Sequence, residues 1–149
     1  MAVSQNSDYD ELSAGIIVFK YDQSNKKILY LVLIHRENHY DFPKGHVENN
    51  ENIIEAAKRE TYEETGLKEI KIIDDTYYVP IEYTFFNGSK LIRKKVIYFL
   101  GFLTNPYEEV KISNEHNGYE WLTYDELIKK LKYKEQKDLL KKMNEKITL

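Results

Sequence analysis

Three glutamates one helical turn apart define the chemistry open to this chain. In the segment from Gly45 to Leu67, GHVENNENIIEAAKRETYEETGL, Glu60, Glu63 and Glu64 stand at i, i+3 and i+4. At about 100° per residue they share one helix face. Like charges so spaced repel and weaken an isolated helix, so the stripe needs a positive partner. Lys58 lies off that face, and Arg59 finds its best helical partners at Glu55 and Glu63, four residues to either side. One guanidinium can hold a carboxylate with two parallel hydrogen bonds, but it cannot neutralise three. A divalent cation can. An all-oxygen donor set without histidine or cysteine suits Mg²⁺, with Mn²⁺ as a substitute, rather than zinc. Mg²⁺ is commonly shared between one or two carboxylates and substrate phosphates. Acid clusters on helices are more often plain solvated faces, so the surrounding elements decide between the two.

Those elements form an α/β (α+β) pattern. Ala14 to Phe19 reads as a buried strand, Asp22 to Lys27 as a polar turn and Ile28 to Ile34 as a second strand. His35 to Tyr40 and the Pro43–Gly45 region read as loop. From Asn50 the spacing turns helical, with Asn49 or Asn50 as the cap and Gly66 as the left-handed stop. Ile53, Ile54, Ala57 and Thr61 make one apolar helix face that borders the acidic one. Residues 70–86 and 91–103 are strand-rich, and Asn87-Gly88 between them predicts a hairpin. Thr123 to Glu126 is a capping box, with Leu122 and Leu127 as a hydrophobic staple, and helical patterns run on to about Lys146. Residues 1–11 carry almost nothing apolar and are expected to fray, leaving 12–149 as a single domain.

Taken whole, the acidic helix and its flanks resemble a known pattern. Gly45 is followed by Glu51, Arg59-Glu60, Glu63-Glu64, Gly66 and Leu67. This matches the Nudix box over 23 residues at every charged and glycine position. Thr61 departs from it, standing where the general pattern has an aliphatic residue. From Ala14 to about Leu140 the chain is most similar to the animal-type diadenosine tetraphosphate hydrolases within that family. The similarity rests on Pro43-Lys44-Gly45-His46-Val47-Glu48, Tyr83, Lys94 before Val96-Ile97-Tyr98, Ser113 to His116, Tyr119-Glu120-Trp121 and Tyr133 to Lys137. Where those enzymes often carry Trp and Pro, this chain has Tyr40 and Phe42 nearby.

The resemblance implies an α/β/α sandwich around a mixed sheet. It also implies metal-dependent hydrolysis of dinucleoside polyphosphates, bis(5'-adenosyl) tetraphosphate giving ATP and AMP. By position, Glu60, Glu63 and Glu64 would ligate metal, and Arg59 would orient Glu63. Glu51 would be structural or an outer metal contact. Glu115 would be a general base or a further metal ligand, with Glu64 able to share the base role. Lys44, Lys94 and His46 are candidates for phosphate contacts, and Tyr83 and Tyr119 for stacking a purine. Other substrates of the family remain open, among them capped RNA, diphosphoinositol phosphates and oxidised nucleotides, as does a non-catalytic nucleotide-binding module.

Composition narrows the partners. The 149 residues hold 22 Lys and Arg against 25 Asp and Glu, a net charge of −3, without the basic surplus of most nucleic-acid binders. A small-molecule substrate, no membrane partner and a monomer are expected. Zero cysteines exclude a disulfide scaffold and a thiolate metal site. With an N-terminus lacking the basic and apolar runs of a secretory signal, they point to the cytoplasm, or the nucleus.

Overall fold

The computed structural model describes residues 9–147. Four strands come first: β1 (Glu11–Asp22), β2 (Lys27–His35), β3 (Tyr40–Asp41) and β4 (Lys44–His46). Helix α1 (Ile53–Thr65) follows, then β5 (Ile70–Ile72), β6 (Val79–Asn87), β7 (Lys90–Leu103) and β8 (His116–Leu122). Two helices, α2 (Tyr124–Lys130) and α3 (Lys134–Ile147), end the described chain. Two of the short strands, β3 and β4, lie in the stretch expected as loop. Ordered structure also begins inside the expected frayed tail: β1 starts at Glu11, and Asp10 accepts hydrogen bonds from Arg93. Residues 1–8 of that tail lie outside the described residues.

All eight strands join one sheet. Its centre is the parallel pair β1·β7, with Ser13 opposite Val96 and Ile17 opposite Leu100. The other pairings are antiparallel, so the sheet is mixed. Side chains alternate between its faces. On one face Ala14, Ile16, Val18, Leu31, Ile97 and Phe99 pack against Ala56 and Ala57 of α1. On the other, Ile17, Tyr30, Val32, Val96, Tyr98 and Leu100 pack against Leu127 of α2 and Leu139, Leu140 and Met143 of α3. The sandwich is therefore α/β/α. Among the described residues no helix is long and apolar enough to cross a membrane.

Local signals place the ends of the elements. The α1 cap is Asn52, two residues later than expected, because its side chain accepts from Glu55 N–H while Glu55 reaches back to the cap. Asn50 instead takes a left-handed turn, φ 67°. The β6–β7 hairpin turns on Gly88-Ser89, with Asn87 paired to Lys90 as the last strand residue. Gly88, at φ 64°, supplies the left-handed residue that such a tight turn requires. Thr123 and Glu126 form the expected capping box for α2. The helical run beyond it is broken at residues 131–133, giving two helices. Lys94 lies within β7.

Candidate functional site

Helix α1 sits close on the sheet because its inward residues are small: Ala56, Ala57, Thr61 and Thr65 are buried. Thr61 falls on the packing face, as its spacing predicts. At the far end Gly66 adopts φ 71° and donates its N–H to Tyr62 O, so the chain leaves the helix directly after Thr65. Glu60, Glu63 and Glu64 are thereby carried toward β4 and the loop after it.

Arg59 organises that edge. Its Nε and Nη2 grip both oxygens of Glu51 at 2.6 and 3.1 Å. Nη1 reaches Glu60 at 2.9 Å and Glu63 at 3.2 Å, and Nη2 also donates to His46 O at 2.9 Å. Glu55, one expected partner, is engaged at the helix cap instead. One guanidinium thus holds three carboxylates and ties the helix to β4. The hydrogen bonds from Arg59 keep the Glu51 carboxyl below its ordinary range, and the same bonds hold the guanidinium firmly protonated.

Glu64 is the carboxylate Arg59 leaves out. It accepts the Lys44 backbone N–H at 3.2 Å, while the Lys44 ammonium turns to Asp41 at 2.8 Å. Burial, with the nearby charges of Glu60 and Glu115 adding to it, raises the Glu64 carboxyl to about 7. Burial opposes the charge on Lys44 as well, but Asp41 outweighs it and the group is held above its ordinary value. A half-buried carboxylate that takes no side-chain hydrogen bond among the described residues, beside two more, is a donor set that fits a hard divalent cation.

Lys44 joins this edge to a cavity of about 490 Å³, within the usual range for small-molecule sites. Asp41, Lys44, Tyr83, Tyr98, Tyr133 and Gln136 are among its walls. Tyr83 faces it from β6 and Tyr133 from the start of α3, each about half exposed. Gln136 closes one side by donating to Tyr40 O at 3.2 Å. Lys94 lies opposite Tyr83 on the same face, and burial and the charge of Lys44 lower its pKa.

The expected site residues do not all converge here. His46 pairs with Glu11 at 3.5 Å and is absent from the cavity walls. Tyr119 stands opposite Leu33 and two residues from Trp121, which packs on the α1 side. Tyr83 belongs to the opposite face, so these two rings cannot close on one base. Tyr133 lines the cavity together with Tyr83, and its signal in the sequence was the resemblance carried by Tyr133 to Lys137. Glu115 is exposed in the loop before β8 and shares a shallow recess with His35, Arg36 and Asn114. It is near enough to Glu64 for its charge to act there.

A family model described as NUDIX domain matches residues 11–143. The chain belongs to the Nudix family. Nudix hydrolases use divalent metal ions, in keeping with the carboxylates of α1. The bis(5'-nucleosyl)-tetraphosphatase [asymmetrical] of Mus musculus is 33% identical over 135 residues, covering 86% of this chain and 89% of that protein. The Caenorhabditis elegans protein of the same name is 31% identical over 132 residues, covering 89% and 93%. A crystal structure of a C. elegans Ap4A hydrolase binary complex superposes with a TM-score of 0.81 at 29% identity, covering 93% of this chain and 98% of that one. This Nudix chain therefore shares most of its length, and not the box alone, with such proteins.

Proposed function

We propose that this protein hydrolyses dinucleoside polyphosphates, with bis(5'-adenosyl) tetraphosphate giving ATP and AMP. The observation that carries this is the continuity of two surfaces through one residue. Lys44 walls a cavity bordered by two exposed tyrosines, and its backbone N–H donates to Glu64. A linear polyphosphate ending in an aromatic base matches that layout. The related bis(5'-nucleosyl)-tetraphosphatases support the substrate class.

Mg²⁺, or Mn²⁺ in its place, would be held by Glu60, Glu63 and Glu64. When bound it supplies charge neutralisation at phosphorus and lowers the pKa of water. Arg59 fixes Glu60 and Glu63 so that they meet the ion without reorganising. Tyr83 and Tyr133 present ring faces to a base, an interaction tolerant of base identity. Lys44 and Lys94 present positive charge on the same sheet face, along the path of the phosphates. Glu115 is assigned the proton of the attacking water, because it is exposed and faces the Glu64 edge from outside the helix. A monomer acting on a small molecule in the cytoplasm is the state proposed.

The test is chromatography of products from diadenosine tetraphosphate with Mg²⁺. Equal amounts of ATP and AMP are expected. Two ADP would overturn the asymmetric cut, and turnover of capped RNA or diphosphoinositol phosphates alone would overturn the substrate class.

A further inference from the structure

We propose a second metal site, on the turn between β2 and β3, in which His35, Glu37 and His39 bind a divalent ion of the zinc, nickel or copper type. One ligand atom from each of the three lies within 4.8 Å of the others. The two imidazoles already stack, with ring centres 4.6 Å apart and planes 15° from parallel. A tetrahedral ion with bonds of about 2.0–2.1 Å needs its ligand atoms roughly 3.4 Å apart. The two rings turn out of their stack to point their in-plane lone pairs at one ion, and one short turn carries all three residues.

The backbone of that turn is already fixed. His35 N–H donates to His39 O at 2.9 Å, and Asn38 N–H to His35 O at 2.7 Å, with Asn38 left-handed at φ 63°. Asn117 of β8 braces the turn by donating to Arg36 O and Asn38 Oδ1. Nδ1 of His35 accepts the Glu37 N–H at 3.3 Å, which leaves Nε2 as the nitrogen that would meet an ion on giving up its proton. The neighbouring guanidinium of Arg36 is occupied with Asn114 O.

The donor chemistry separates this site from α1. Two imidazoles and a single carboxylate favour borderline transition ions, whereas the α1 set is all oxygen. A set of two histidines and one glutamate leaves a fourth position open. His116 stands edge-on to His35 with ring centres 6.2 Å apart. Its Nδ1 is shielded from solvent and has no hydrogen-bond partner among the described residues. It stands beside the set as a further imidazole. Three of the chain's four histidines thus meet at one turn, and His39 also borders the cavity. An ion here would stiffen the wall that continues into Tyr40 and Asp41.

The test is equilibrium dialysis of the full chain with Zn²⁺ alone, in wild type and in a Glu60→Gln, Glu63→Gln, Glu64→Gln variant that silences α1. One zinc per chain retained by the triple variant is expected, with affinity falling at least about tenfold in His35→Ala, His39→Ala. NMR of the imidazole nitrogens in the wild type keeps the test independent of how those variants fold. The His35 and His39 signals should move with Zn²⁺ and stay in place with Mg²⁺. Zinc uptake lost with the three glutamates, or unmoved histidine signals, would overturn the site without touching the proposed hydrolase activity.

Discussion

The Glu60 carboxylate fills the space that a side chain on residue 45 would need. A Cβ added to Gly45 would lie 2.0 Å from Glu60 Cδ and from its Oε1. The glycine is therefore a steric condition for the Arg59–Glu60 contact at 2.9 Å. Gly45→Ala should displace the carboxylate while the fold survives, because the end of a glutamate side chain can swing aside. Activity is expected to fall about 10- to 100-fold, the usual effect of disturbing the groups that orient a metal ligand. Kinetics alongside thermal unfolding check this. Full activity would mean that Glu60 need not be held where it is.

Arg59→Lys keeps one positive charge and loses the fork. Glu51 and Glu60 would then face each other with 15% and 16% of their side chains exposed and one point charge between them. A destabilisation of about 1 kcal/mol is expected from denaturant unfolding without metal, the upper range for a part-exposed ion pair. Added Mg²⁺ should restore part of it.

The Glu64 carboxyl, lifted by burial from 4.5 to about 7, makes the metal-free protein sensitive to pH. The folded state binds this proton more tightly than the unfolded chain, so folding stability falls as pH rises from about 4.5 through 7. A divalent ion reverses this by favouring the carboxylate. Metal-free wild type should lose melting temperature between pH 5 and 8, and Glu64→Gln should lose less. Stabilisation by Mg²⁺ should be larger at pH 8 than at pH 5.5. Parallel pH profiles for the two proteins would contradict the burial of this charge.

Tyr83→Ala and Tyr133→Ala should each weaken binding of a non-hydrolysable dinucleotide by about 1–3 kcal/mol, the cost of losing one stacked ring. Tyr119→Ala, on the other face of the sheet, should change it little. Calorimetric titration of the three variants separates them. Equal losses at Tyr119 and Tyr133 would mean that the base binds elsewhere.

What could be read from residue types alone followed the range of the forces involved. The stripe of Glu60, Glu63 and Glu64 and its small apolar neighbours obey a helical period, a local property of the chain, and they stand as expected. The capping of α1 was misplaced by two residues because Asn49, Asn50 and Asn52 are all competent caps. Only Asn52 has a glutamate three residues on that closes the reciprocal bonds. The Arg59–Glu51 grip escapes helical spacing altogether, since Glu51 lies before the helix and returns to it through the loop. Tyr133 and Tyr119 could be told apart only once the sheet had two sides. Which side each ring occupies depends on strand register and on α3 crossing to β3, over more than ninety residues of sequence.

The donation from Gln136 to Tyr40 O also orders events during synthesis. A nascent chain that has emerged as far as Leu131 already carries every glutamate of α1 and both members of the central parallel pair. It still lacks Tyr133 and Gln136. With the roles proposed above, the segment that would hold an ion leaves the ribosome before the segment that would hold a nucleotide.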